Sequence, residues 1–470
     1  MKILLVQPGQ KQVLQGNNPA VIEKERGKNP PLGLLYVASM IEQTGRHQVK
    51  VLDLNIPDLD LTFFRNYLQQ ENFDVLGITI TTFTLLDALE VIVTFKEFNP
   101  GGMVIAGGPH VAIYPHETVG LGVVDVAVKR EGEPVINDIL DRLGDPAALS
   151  DVPGLCYRAN GDICDTGEAP YIEDLDALPH PNRALLPYQR YFSLLGGDAY
   201  STTIFSSRGC PFRCAFCDRP ALGKKFRCHG PDYVINEILN CLNLGIREFL
   251  FYDDTFTVNR ARVMEICRQI VKLGLDIRWD IRARVDTVDE EMLKALKAAG
   301  CVAVHYGVES GSEPILKRLN KGIDLARVRE VFKLTKKIGM DTLAYFMLGN
   351  PGETLADIDR SLALGAEIQP DLLHLTIFTP FPATRLYQEA LDSGLFREDV
   401  WRQFALHPTP DFEPPIWGEY FTKPELQKFI AESYKKFYLR PEYIWRRLVR
   451  LRSFAEFKRK LKAALSVLRM

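Results

Sequence analysis

No stretch of the chain approaches the roughly 18 consecutive apolar residues that a membrane-spanning helix needs. The opening MKILLVQPGQ has one Lys and an apolar run that ends at Pro8, too brief for the apolar region of a secretion signal. The reading is a cytoplasmic protein. Charge of one sign is missing too: 57 Lys and Arg against 60 Asp and Glu leave a formal net charge of -3, so bulk electrostatics offer no attraction to nucleic acid. Cysteine is sparse, with nine in 470 residues and none before residue 150. An odd, scattered set in a long chain without an export signal argues against a disulfide framework and for reduced thiols or metal chemistry.

At roughly 100 to 200 residues per domain, the length predicts two or three domains. Residues 1–145 alternate short apolar runs (3–6, 49–54, 75–80, 103–108, 124–130) with helical patterns, which implies an α/β, doubly wound parallel sheet. Its ligand would sit at the carboxyl ends of the strands, where Gln7, Asp53, Asn55, Thr79, Thr81, Gly107, Gly108 and His110 fall. Residues 146–199 form a hairpin around Asn160-Gly161 and then a proline-dense linker. From 200 to 390, six further strand-helix units suggest an open or closed barrel, with its site at the strand ends. The region 391–470 reads as helical. Between 435 and 470 it is strongly basic, Glu442 and Glu456 being its acids. Such a helix either packs its apolar stripe on the barrel or lies on an anionic membrane surface.

The first strand of the barrel leads into SSRGCPFRCAFC at 206–217. Cys210, Cys214 and Cys217 put three thiolates on one loop, one short of a closed four-ligand site. Structural zinc would need a fourth donor, for which Cys228 or His229 is near enough, but its usual second ligand pair is missing. An iron-sulfur cubane normally takes four thiolates, so three leave one iron open.

This C-x3-C-x2-C spacing, with Phe216 before the last Cys, resembles the signature of the radical S-adenosylmethionine (SAM) enzymes. The resemblance implies that Cys210, Cys214 and Cys217 hold a [4Fe-4S] cluster whose open iron is chelated by SAM. Further segments resemble that family's SAM contacts: YDDTFTVN at 252–259, where Asp253 and Asp254 replace the usual glycines, Arg284 in RARVD, Glu309 and Ser310 in GVESGSE, and Asn350 and Gly352 in GNPGET. Reductive cleavage of SAM to a 5'-deoxyadenosyl radical is the implied chemistry, with an external reductant such as flavodoxin or ferredoxin.

The order of a doubly wound domain, a hairpin linker and a partial barrel resembles the cobalamin-binding subclass of that family, which contains methyltransferases and anaerobic magnesium-protoporphyrin monomethyl ester cyclases. TITTFTLLDA at 79–88, GGPHVAI at 107–113 and Glu131 in REGE resemble its corrinoid-contacting segments. One departure stands out: where many cobalamin domains have D-x-H-x-x-G, this chain reads DLNIPD at 53–58, with Asn55 in place of the cobalt-ligating His. The expected activity is cobalamin-dependent methylation of an unactivated carbon. The alternatives are radical cyclisation or rearrangement of a tetrapyrrole or lipid, and a non-catalytic corrinoid or iron-sulfur sensor. A methylthiotransferase is disfavoured, because residues 1–150 lack that family's second cysteine set.

Overall fold

The computed structural model describes residues 1–19, 29–192, 200–217 and 222–444. The apolar runs of the first part form parallel strands β1 (Lys2–Gln7), β2 (Gln48–Asp53), β3 (Val75–Thr79), β4 (Met103–Gly107) and β5 (Val126–Val128), in the order β2-β1-β3-β4-β5. Both faces are covered. Ile3 and Leu5 of β1 pack with helix Leu32–Thr44 in one core, while Leu4 and Val6 pack with helix Leu85–Phe98 in another, which is why the strand is apolar throughout. Strand order reverses at β1, so the carboxyl ends of β1 and β3 flank a topological switch point.

Asn160 and Gly161 take φ 51° and 93°, the left-handed pair that a two-residue hairpin turn demands, and join β6 (Leu155–Ala159) to β7 (Asp162–Asp165). β6 also pairs antiparallel with β5. The hairpin therefore extends the first sheet to seven strands instead of standing apart as a linker. It covers backbone groups that the short β5 would otherwise leave unpaired.

The second part begins with β8 (Ser201–Ile204) and a two-stranded ribbon of β9 (Ser207–Arg208) and β10 (Arg227–Cys228). β11 (Glu248–Phe251), β12 (Arg278–Ala283), β13 (Cys301–Glu309), β14 (Asp341–Leu348) and β15 (Leu372–Ile377) then join β8 in a parallel sheet ordered β15-β14-β13-β12-β11-β8. With β8 and β15 as its edges, this is a partial barrel. Strand alternation sends Phe251, Ile281, Val304, Tyr306, Phe346 and Leu375 into the helical core. The opposite register places Tyr252, Asp280, Arg282, His305, Tyr345 and His374 on the inner face.

The two sheets meet at their carboxyl ends. The segment after β1 crosses to the end of β15, where Asn17 Nδ2 donates to Thr379 Oγ1 at 2.9 Å and Ile377 N donates to Asn18 Oδ1 at 2.9 Å. Phe83, just beyond β3, packs on Phe381 and Trp401 with ring centroids 6.1 Å away in each case. Helix Lys423–Tyr438 lies against β15, burying Leu426, Ile430 and Tyr434 in the barrel core. Its Tyr434 and Tyr438 hydroxyls accept from Leu375 N and Leu373 N, edge-strand donors that would otherwise lack a partner. Most of the basic stretch 435–470 lies outside the described residues, which end at 444. Among those described, no helix is long and apolar enough to cross a membrane.

Candidate active site at the facing strand ends

The cysteine loop leaves β9 through Gly209 at φ 75°, where a Cβ would stand 2.3 Å from the Lys225 carbonyl oxygen, so this turn needs glycine. The loop is tied to the barrel by backbone. Ala215 N donates to Leu319 O at 2.8 Å, Leu386 N donates to Ala215 O at 3.1 Å, and Asn320 Nδ2 donates to Arg213 O at 2.6 Å. Cys210 is buried, and Cys214 and Cys217 are half-buried. Thr255 Oγ1 lies 3.7 Å from Cys210 Sγ, and Arg284 Nη1 lies 3.8 Å from Cys214 Sγ. The Arg284 guanidinium thus donates to the Cys214 sulfur, while the Thr255 hydroxyl, which donates to Asp254 O at 2.7 Å, stands beside Cys210.

Arg284 is itself fixed by a bidentate pair with Asp286 at 2.8 and 2.9 Å, by Lys321 O at 2.8 Å, and by stacking 3.9 Å over Phe212. Glu309 follows a register shift in β13 and holds φ 71°, a conformation that non-glycine residues seldom adopt. Its carboxylate pairs with Lys321 Nζ at 2.7 Å, and that ammonium stands 5.8 Å over the Phe216 ring. Phe216, Arg284 and Glu309 are thus brought together around the loop.

The other residues expected at the SAM site are held by contacts within the protein. Asp253 is fully buried, accepts from Ser206 N and Oγ at 2.6 Å and from Ser207 N at 3.1 Å, and so braces the strand that feeds the loop. Burial pushes its pKa up, and the nearby Arg262 opposes that. Asp254 is the exposed member of the pair. Ser310 is buried against Ser361 at 3.1 Å and braces the turn into the following helix. Asn350 Nδ2 donates to Met347 O at 2.8 Å, while Gly352, at φ 73°, donates its N–H to Glu419 at 3.0 Å.

In the first domain, Gln7, Thr79, Thr81, Gly107 and Gly108 line the switch-point edge half-buried. Gly108 requires its φ of 103°, since a Cβ would meet Ile80 O at 2.8 Å. A Cβ on Gly107 would meet nothing within 4 Å, so backbone there is open to a ligand. Asp53 is buried and accepts from Tyr191 OH at 2.8 Å and Asn55 N at 2.9 Å, which makes it a brace for the turn after β2. His110 is fully buried with Nδ1 3.0 Å from Thr82 Oγ1, and burial pushes its pKa down to about 4. Such a ring is neutral and faces protein. Glu131 departs from the corrinoid contact expected of it: it accepts from Arg208 at 2.8 Å, from Arg227 at 2.8 and 3.0 Å, and from Ile172 N at 2.9 Å. Glu133 adds a bond to Arg208 at 2.6 Å, so the cluster clamps the first domain to the ribbon that begins the cysteine loop.

Thr255, Lys321, Phe212 and Arg208 escaped the sequence reading. Only Arg208, immediately before Gly209-Cys210, carried a local signal.

Residues 204–365 match the sequence model of the radical SAM superfamily, and residues 19–140 match that of the B12 binding domain. An uncharacterised methyltransferase of Pyrococcus horikoshii is 34% identical over 94% of this chain and 94% of its own. The chain is a radical SAM protein with a B12-binding domain. An anaerobic magnesium-protoporphyrin IX monomethyl ester cyclase of Rubrivivax gelatinosus is 26% identical over 89% of this chain and 75% of its own. In fold, this radical SAM protein is similar to the cobalamin-dependent enzyme OxsB (TM-score 0.73, 16% identity, covering 99% of this chain and 72% of that one). It is also similar to the methyltransferase TsrM of Kitasatospora setae (TM-score 0.70, 20% identity, covering 83% and 76%). Membership makes it an enzyme whose cofactors are a [4Fe-4S] cluster, SAM and cobalamin.

The residues present suit those groups. Three thiols on one loop, with a guanidinium donor at one of the sulfurs, suit a cluster that takes one thiolate per iron. Zinc through His229 does not fit, because that ring is stacked between Tyr36 and Tyr233 with Nδ1 3.2 Å from Asp176, and no group of three metal-ligating side chains forms around it among the described residues. The bare backbone at Gly107 suits close approach of a large planar cofactor beside the switch point.

Proposed function

We propose that this enzyme methylates an unactivated carbon of a small molecule, with cobalamin as methyl carrier and SAM as both methyl donor and radical source. The observation that supports the reading is the meeting of the two sets of strand carboxyl ends, which puts the switch-point edge of the first sheet and the cysteine loop on facing sides of the two domains. When bound, the cofactors supply the radical and the methyl group. The chain supplies placement. Arg284 and Thr255 position the Cys214 and Cys210 sulfurs, and the Glu309–Lys321 pair fixes the rim beside Phe216. The Glu131 cluster ties the first domain to the ribbon before the cysteine loop, while Phe83, Phe381 and Trp401 pack the two domains together beyond β3. Electrons come from an external reductant, for which a flavodoxin or ferredoxin is suited.

The test is anaerobic turnover with methyl-labelled SAM, using enzyme reconstituted with iron, sulfide and cobalamin, and Cys214→Ala as the control. Label in a product, absent with the variant, supports the methyltransferase. Deoxyadenosine formed with no labelled product sinks it and moves the reading to radical cyclisation or rearrangement.

A further inference from the structure

We propose that Arg282 is the docking point for an oxyanion, a carboxylate or phosphate group, on the substrate inside the barrel. The proposal deepens the function above and rests on it for where the reacting atoms lie.

Arg282 stands one residue before the end of β12, between Ile281 and Ala283, which are buried on the helical side. Alternation therefore turns its side chain to the inner face. There it is half-buried, with its guanidinium 3.7 Å over the ring of Tyr252. Among the described residues it makes no hydrogen bond and no ion pair. Its buried neighbours all do: Arg183 has Glu237 at 2.6 Å, Arg208 has Glu133 at 2.6 Å, Arg227 has Glu131 at 2.8 Å, and Arg284 has Asp286 at 2.8 Å. Its fork of donors is not taken up by protein acceptors among the described residues and is free to make a bidentate contact with an incoming oxyanion.

The groups around Arg282 do not neutralise it. Asp280, two positions earlier on the same face, is pushed up to about 7 by burial, so below that pH it mostly keeps its proton. His305 lies opposite Arg282 in the strand register, with Nδ1 3.2 Å from Tyr345 OH and Nε2 3.9 Å from Asp280. Burial, with Arg282 next, pushes His305 down to about 3, so it stays neutral. Tyr345 in turn meets the edge of His374 at 5.3 Å. One fixed positive charge amid aromatic faces and neutral polar groups complements a small molecule with an anionic end and an unsaturated or apolar body.

The depth is right for a substrate. Arg284, two residues further along β12, touches the cysteine loop, which places Arg282 about 7 Å deeper at the usual rise per strand residue. A molecule anchored there points its other end toward the cysteine loop.

The experiment titrates reconstituted holoenzyme calorimetrically with benzoate, phenyl phosphate and neutral benzamide, for wild type, Arg282→Gln and Arg282→Lys. Wild type is expected to prefer an anion over benzamide by about tenfold or more, with the tighter anion naming the headgroup. Arg282→Gln loses the preference and Arg282→Lys keeps part of it. Should the variants fail to fold, phenylglyoxal labelling of wild type decides: Arg282 is modified, and benzoate or phenyl phosphate protects it. The proposal is overturned if wild type shows no preference for anions, if the preference survives in Arg282→Gln, or if neither anion protects Arg282. It is also overturned if SAM alone blocks labelling at Arg282, since the guanidinium then serves the cofactor. Failure of the parent reading looks different: no deoxyadenosine from reduced wild type, with the anion preference intact.

Discussion

Replacing Glu131 with Gln tests whether the domain clamp holds the cysteine loop. Glu131 is 5% exposed, and its two oxygens receive three contacts from the guanidinium groups of Arg208 and Arg227 and one from Ile172 N. Two arginines and two glutamates, Glu131 and Glu133, balance in this buried cluster. The substitution leaves one guanidinium without a counter-charge, and breaking a buried pair in this way costs about 3–5 kcal/mol. A chain with more than one cooperative unit has no single unfolding free energy, so the measurement should be local. Hydrogen exchange at the amides of Ile172, Ala215 and His229 suits, because each is bonded within or next to the clamp. If these amides exchange by local opening, 3–5 kcal/mol corresponds to roughly two to three and a half powers of ten in rate. Iron retained after reconstitution should fall in parallel, since Arg208 is two residues before Cys210. Exchange at those three amides within about threefold of wild type, with full iron content, would refute the clamp.

Further outcomes follow from the same geometry. Gly209→Ala forces a side chain into φ 75° and against Lys225 O, so the variant should fold in both sheets by circular dichroism yet bind less than half the wild-type iron. Glu353 is fully buried, accepts from Gly349 N at 2.6 Å and Asn350 N at 3.0 Å, and is pushed up to about 7 by burial. Its folded pKa lies above the usual carboxylate value near 4.3. The folded state therefore binds the proton more tightly, and the group's contribution is full below about pH 4.3 and lost as pH rises through about 7. Glu353→Gln should flatten the pH dependence of thermal stability across that window, and an unchanged slope would show that another group titrates there.

Much of the site was readable because it is local. C-x3-C-x2-C on one loop, the strand-helix alternation and Asn160-Gly161 each act over a few residues, where spacing alone dictates geometry. What the local sequence did not record is partners far apart in the chain. Asp253 resembles a ligand contact, and in the fold it accepts from Ser206 and Ser207, 47 and 46 residues away. Glu131 sat in a segment that resembled a corrinoid contact, yet its partners Arg208 and Arg227 are 77 and 96 residues on. Lys321 carries no motif of its own, and Thr255, though inside YDDTFTVN, becomes visible as a neighbour of Cys210 only when the loops converge.

By itself, the chain's order of residues determined the classes of element, the three thiolates and the presence of two α/β units, since each follows from periodicity or from spacing within one loop. The tertiary structure alone decided that the hairpin completes the first sheet, that the carboxyl ends of the two sheets face each other, and that Arg282 lies over Tyr252 with no ion pair among the described residues. Those outcomes depend on which backbone edges and which charges remain unsatisfied after each element has formed. That balance is struck across the whole fold, and no local pattern records it.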